Sequence, residues 1–176
     1  VSPKCHIVTE EHIYFDKNNL AKKLGTTSKG IAPAYAAKAA RKGILASEVL
    51  PSQYIWDGKL TGKILCEGAQ GVWLDMDYGL YPYVTSSTTL PYGSCSLGFP
   101  PQKIKRVWGI AKAYDTRSGE DPRFPESLLD NEILLSIADE GLEYGVTTGR
   151  RRKVNWLNLS LLIESVNLSG VDTLVI

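Results

Sequence analysis

Between Asn155 and Leu168 the apolar residues fall at helical spacing. Leu157, Leu161, Leu162 and Val166 share one face, and Leu159 and Ile163 widen it. Gly170 ends the pattern, and Val171 to Ile176 reads as a core strand. A buried helix that runs into a buried strand needs other elements on both sides, and a sheet with helices packed on it supplies them. Similar alternation recurs upstream. Lys4–Thr9 predicts a short buried strand, and 11–24 a surface helix beginning near Asp16. Pro33–Lys42 predicts an alanine-rich helix stopped by Gly43, and Lys63–Cys66 another short strand. A further core strand is predicted within 103–114, and a helix over 131–141 starting near Asp130. With no internal repeat, this order predicts an α/β fold with a mostly parallel central sheet flanked by helices.

The 176 residues suit one domain, and 43% hydrophobic with 22% charged residues argues against disorder. A net charge of +1 gives no bulk attraction to nucleic acid or anionic membrane. Cys5, Cys66 and Cys95 are scattered, and His6 and His12 are the only histidines. Neither a zinc site nor a disulfide framework is expected, and no metal ligands are assigned. His6 reads as a packed strand residue. With no signal peptide or membrane-length apolar run, reduced cytoplasm is the expected location. The start at Val1 and the stop within Thr173–Ile176 suggest a piece of something longer.

Three loops carry chemistry-bearing residues. Gly25–Gly30 (GTTSKG) lacks the Lys-Ser/Thr pair of a Walker A loop, because Ile31-Ala32 follows its last glycine. Its hydroxyls and backbone N–H groups suit a phosphate, or equally a helix-capping turn. Glu67–Thr89 places Gln70 between Gly68 and Gly71, then Tyr81-Pro82-Tyr83 and a hydroxyl run from Thr85. Gln both donates and accepts, so it suits a purine edge or carbonyl oxygen, although such a corner can be purely structural. Gly145–Lys153 (GVTTGRRRK) joins hydroxyls to guanidinium groups. It is read either as a small-anion site or as plain surface charge, with nucleic-acid binding the weakest option.

Taken together, GTTSKGIAPAY with AARKG, EGAQGVWLDMDYGLYPYVTSS, KAYDTR, and TTGRRRK with NWL resemble the adenylosuccinate synthetase family. The order and spacing of the four segments carry the match across nearly the whole chain. The resemblance implies one domain of a larger P-loop-like nucleotide-binding fold, of which residues 1–176 form the central portion. It implies a ligase that joins IMP and L-aspartate using GTP and Mg2+, through a 6-phosphoryl intermediate. Carried over by position, Thr27 and Thr85 resemble the 5′-phosphate ligands. Gln70 resembles the catalytic contact to the 6-oxygen. Arg41 resembles the arginine that reaches the nucleotide of the neighbouring subunit in a homodimer. Thr147, Thr148, Arg150 and Arg152 resemble the aspartate-carboxylate loop, with Arg150 also near the ribose.

The chain also departs from the family pattern. The GDEGKGK-like phosphate loop, with its general base, and the TKLD-like guanine-recognition segment do not occur in it. The metal ligands are expected outside it too, and the isolated chain is expected to be inactive. The segment between Gly43 and Gly62 is short, as in a compact archaeal or viral-type member. Ser118 stands where the family usually has a valine lining the nucleotide pocket. That leaves open a viral-type relative using dGMP in place of IMP, or a non-catalytic nucleotide-binding or dimerisation module.

Overall fold

The computed structural model describes residues 1–125, 128 and 130–176. The described chain divides into two compact units, 1–67 with 85–87, and 68–84 with 88–176.

The first unit is helical. α1 (Glu10–Phe15) runs through a wider turn at Asp16–Leu20 into α2 (Ala21–Leu24). The helical run therefore starts at Glu10, behind the Thr9 cap and well before the expected start near Asp16. The cause is a reciprocal cap. The Thr9 hydroxyl accepts the His12 N–H at 3.3 Å, and His12 Nδ1 accepts the Thr9 N–H at 3.1 Å. α3 (Ile31–Ala39) packs on α1. It ends before Gly43, because Arg41 itself takes the left-handed conformation at φ +60°. Lys4–Thr9 does not form the buried strand expected of it. Only His6 pairs, in an isolated bridge to Leu45 beside the short α4 (Ala46–Val49). His6 is a packed residue, as expected, with its Nδ1 buried against Gly43.

The second unit holds the strands. β1 (Trp108–Ile110) pairs in parallel with β4 (Thr173–Val175), and β2 (Tyr114–Arg117) pairs antiparallel with β3 (Lys153–Trp156). α5 (Glu132–Glu140) packs on β3, where Leu134, Ala138 and Val154 make a small core with Tyr114 and Ile137 around it. The N-cap of α5 is Asn131 rather than Asp130. Its side chain accepts the N–H groups of Ile133 and Leu134. α6 (Leu159–Ser169) begins behind the Asn158 cap, later than the expected start at Asn155, because 153–156 are committed to the ladder with β2. Gly170 (φ +62°) ends it as expected, but no residue of α6 is fully buried, contrary to expectation. Lys63–Cys66 forms no strand. Nothing among the described residues pairs with it, and Leu65 is 94% exposed.

Candidate functional site

Among the described residues three carboxylates are buried, Asp16 at 2%, Asp75 at 0% and Glu143 at 2% exposure, and each sits beneath one of the chemistry-bearing loops. A buried carboxylate is costly unless donors replace its water. Here the donors come from the loops, so satisfying each charge also fixes a loop's shape.

Asp16 holds the loop 25–30. Its Oδ1 accepts the Thr26 hydroxyl at 2.6 Å, and its Oδ2 accepts the Gly30 N–H at 2.9 Å. The Thr26 oxygen in turn accepts the Ser28 N–H at 3.3 Å, with Ser28 at φ +56°. Thr26 is thus spent on structure. Thr27 is exposed, and its hydroxyl bonds to none of the described residues.

Asp75 holds the loop 71–90. It accepts the N–H groups of Asp77 (3.0 Å), Tyr78 (3.2 Å) and Thr89 (2.6 Å) and the hydroxyl of Thr88 (3.0 Å). Burial pushes its pKa up. The bonds from Thr89, Asp77, Thr88 and Tyr78 outweigh burial and hold it below the usual value. Thr89 also donates its hydroxyl to the Gly71 carbonyl at 3.1 Å, pinning the two ends of the loop together. Gln70 stands immediately before this closure, exposed, with φ +62°. The Tyr81–Pro82 bond is cis.

Glu143 holds the loop 145–153. It accepts the Tyr114 hydroxyl at 2.7 Å and Arg152 Nη1 at 2.8 Å, and it pairs with the Lys112 ammonium. Burial alone would raise its pKa. The hydrogen bonds from Lys112, Tyr114 and Arg152 and the Lys112 charge bring it down to about 2. The same carboxylate pushes the Tyr114 phenol upward. The backbone repeats the tie, since the Arg152 N–H donates to the Glu143 carbonyl at 2.8 Å and the Gly145 N–H to the Arg150 carbonyl at 2.8 Å. Arg151 Nη2 reaches Asp139 Oδ1 on α5 at 2.5 Å. Thr147 and Arg150 are exposed, Thr148 is half-buried with its hydroxyl accepting the Arg150 N–H, and the guanidinium of Arg152 is engaged by Glu143.

Arg117 links the remaining segment to these. At the end of β2, its Nη2 donates to the Tyr83 carbonyl at 2.7 Å, and it pairs with Asp121 at 3.8 Å. Burial lowers its pKa, with the Asp121 charge opposing. Ser118 follows it and is exposed.

The second unit therefore gathers Gln70, Ser118, Thr147, Thr148, Arg150 and Arg152, while Thr27, Arg41 and Thr85 belong to the first. Arg41 is exposed at the end of α3, and Thr85 is half-buried. The anchors Asp16, Asp75, Glu143 and Arg117 were missed in the sequence. No local signal marks the three carboxylates, because exposed acids such as Asp57, Asp77, Glu164 and Asp172 also follow a bulky apolar residue. Among the described residues no group of three or more His, Cys, Asp or Glu could hold a metal ion. The three buried carboxylates lie under separate loops with their oxygens already engaged. This donor set does not fit Mg2+, and no magnesium chemistry is assigned to the described residues. No described helix is long and apolar enough to cross a membrane.

The adenylosuccinate synthetase family profile matches residues 1–61 and 51–176. The adenylosuccinate synthetase of Malacoplasma penetrans is 34% identical over 231 residues, covering 100% of this chain and 54% of its own length. That of Candida tropicalis is 36% identical over 234 residues, covering 99% and 54%. Among solved structures, fully ligated adenylosuccinate synthetase from Plasmodium falciparum superposes with a TM-score of 0.86 at 30% identity, over 98% of this chain and 53% of that one. Cyanophage S-2L succinoaminodeoxyadenylate synthetase (PurZ), bound to dGMP and dATP, superposes at 0.77 with 24% identity, a likeness of fold. The chain spans about half the length of the curated relatives it matches. The profile match over its whole length places this chain in the adenylosuccinate synthetase family.

Proposed function

We propose that this chain supplies the nucleotide-phosphate, 6-oxygen and aspartate contacts of an enzyme that condenses IMP with L-aspartate at the expense of GTP. One observation carries the assignment of residues. Among the described residues, the non-glycine positions with left-handed backbone are Ser28, Arg41, Gln70 and Leu142. Gln70 and Arg41 are candidate ligands themselves, Ser28 adjoins Thr27, and Leu142 adjoins the anchor Glu143. Such conformations cost on the order of 1–2 kcal/mol each and collect where geometry serves a ligand.

In this reading the purine N1 gives up its proton to a base outside the described residues, the 6-oxygen takes the γ-phosphoryl group of GTP, and GDP leaves. The aspartate nitrogen then attacks C6, the new C–N bond forms, inorganic phosphate departs with its oxygen, and the amine loses a proton. The Gln70 amide donates to the 6-oxygen as charge shifts there. Thr27 and Thr85 donate hydroxyls to the 5′-phosphate, and Arg41 serves the nucleotide of a neighbouring subunit. Thr147, Thr148 and Arg150 take the aspartate carboxylates, and Arg150 also lies near the ribose. Arg152 adds its charge to that loop while Glu143 holds it. Ser118 lines the nucleotide pocket.

The test uses the complete protein that carries this chain. Gln70→Ala should lower kcat by about 100-fold with little change in KM, the loss typical of a missing oxyanion donor. Arg150→Ala should chiefly raise KM for aspartate. An unchanged aspartate KM in Arg150→Ala would remove the loop assignment. Turnover with dGMP in place of IMP would transfer the reading to the viral-type reaction.

A further inference from the structure

Two arginines clasp the loop that follows Gln70, and both come from the segment that carries Ser118. Residues 68–84 and 117–123 lie together in the second unit. Arg117 Nη2 donates to the Tyr83 carbonyl at 2.7 Å, on the far arm of the loop. On the near arm the Arg123 guanidinium lies over the Trp73 ring, 5.2 Å from its centroid. Trp73 sits in the helical turn Val72–Leu74, just beyond Gln70. Each arginine therefore grips one arm, and Ser118 follows the first of them in the chain.

Asp121 joins the two grips. Its Oδ2 lies 3.8 Å from Arg117 Nε, and its Oδ1 lies 3.5 Å from Arg123 Nε. Oδ1 also accepts the Arg123 N–H at 2.9 Å, so one carboxylate shapes the turn and holds both cations. The Arg117 side chain is only 10% exposed, and its Nε has no hydrogen bond among the described residues. Burial weakens the Arg117 charge most, the Asp121 charge opposes that, and the Arg123 charge works against Arg117 again. Removing the Asp121 charge would leave two like charges side by side, one of them desolvated. Cationic grips at a half-exposed site add little stability, but they fix position.

We infer that Arg117, Asp121 and Arg123 are positioning residues that set the spacing between Gln70 and Ser118, and through it the fit of the purine nucleotide. The inference rests on the proposed condensation, in which Gln70 meets the 6-oxygen and Ser118 lines the nucleotide pocket.

The test is steady-state kinetics of the complete protein that carries this chain, with IMP and with dGMP. KM is read for the nucleotide that is turned over. Asp121→Asn keeps an oxygen for the Arg123 N–H and removes the charge between the arginines. It should raise the nucleotide KM about tenfold and leave the aspartate KM within about twofold. Arg123→Gln, a change at the more exposed end of the clasp, should raise the nucleotide KM about three- to fivefold. Arg123→Lys keeps a cation for Trp73 and Asp121 and should recover most of that loss. Trp73→Leu combined with Arg123→Gln should cost no more than the larger single change, because both remove one contact. A clasp that only stabilised the fold would lower the active fraction, and so kcat, without moving either KM. An unchanged nucleotide KM in Asp121→Asn and Arg123→Gln, or an aspartate KM raised as much, would overturn the inference while wild-type turnover upholds the proposed reaction. No turnover of either nucleotide by the wild-type protein would remove the reaction and this inference with it.

Discussion

Glu143 shows how one residue couples folding to the shape of a loop. Its carboxylate is buried, yet its pKa stands at about 2 against an ordinary 4.5, because Lys112, Tyr114 and Arg152 donate to it. A carboxyl depressed in the folded state contributes stability that is fully present above the unfolded value. The contribution is lost as pH falls from about 4.5 towards 2. The shift corresponds to a contribution of about 2–3 kcal/mol at neutral pH, discounted for the partly exposed Lys112. Glu143→Gln should therefore unfold at lower urea concentration at pH 7 by about that amount, and its acid-induced loss between pH 4.5 and 2 should be correspondingly shallower. Urea titrations at pH 7, 4 and 2.5 decide this, and parallel pH dependence in the two proteins would contradict it. Sequence reasoning found the exposed members of the loops, Thr27, Gln70, Thr147 and Arg150, because their chemistry shows in residue type. It missed Asp16, Asp75 and Glu143 because each of these acids also takes donors 9 to 31 positions away, which no local pattern shows.

Among the elements, helices were more legible than strands, for a physical reason. A helix satisfies its own backbone, so α3, α5 and α6 could be located from their local patterns. Their ends were misplaced wherever a cap departed from the usual residue, as with His12 closing the box at Thr9 or Arg41 taking the left-handed position before Gly43. A strand exists only with a partner. Lys63–Cys66 has the composition of a strand but no ladder among the described residues. β3 hides behind the Arg150–Lys153 charge run and shows only through its pairing with β2. The packing of α1 on α3 turns on Gly30. A Cβ there would lie 2.8 Å from the Ile13 nitrogen and 2.9 Å from Val8 Cγ1, at a φ of +75°. Gly30→Ala should destabilise the protein by about 2–4 kcal/mol, since it adds a backbone clash to an unfavourable conformation. It should also release the Gly30 N–H from Asp16, raising hydrogen exchange at 25–30 more than at α5. A loss below about 0.5 kcal/mol in denaturant unfolding would show that the two helices are not in fact held this closely.

At the scale of the whole molecule, the short segment between Gly43 and Gly62, read from the sequence, is where this chain departs from its relatives. The alignment to the Malacoplasma penetrans protein runs over 231 residues although this chain has 176, and the two profile matches meet at 51–61. The relatives' additional residues therefore fall there. In this chain residues 57–71 are exposed without exception, a stretch that includes the unpaired Lys63–Cys66 segment and Gln70. Catalysis of the proposed condensation requires a triphosphate to be gripped, its charge offset, and protons removed from the purine N1 and from the aspartate amine. The candidate site residues on the described loops offer hydroxyls, one amide and guanidinium groups, while the buried carboxylates are committed to holding those loops. Charge-assisted contacts of this kind bind and orient, but general acid–base work needs a group free to exchange its proton. The purified 176-residue chain should accordingly form no adenylosuccinate from IMP, aspartate and GTP with Mg2+, even over long incubation at high enzyme concentration. Chromatographic detection of adenylosuccinate from the chain alone would show that the residues described here include the proton-transfer and triphosphate machinery after all, and would return Asp16, Asp75 and Glu143 to consideration as more than anchors.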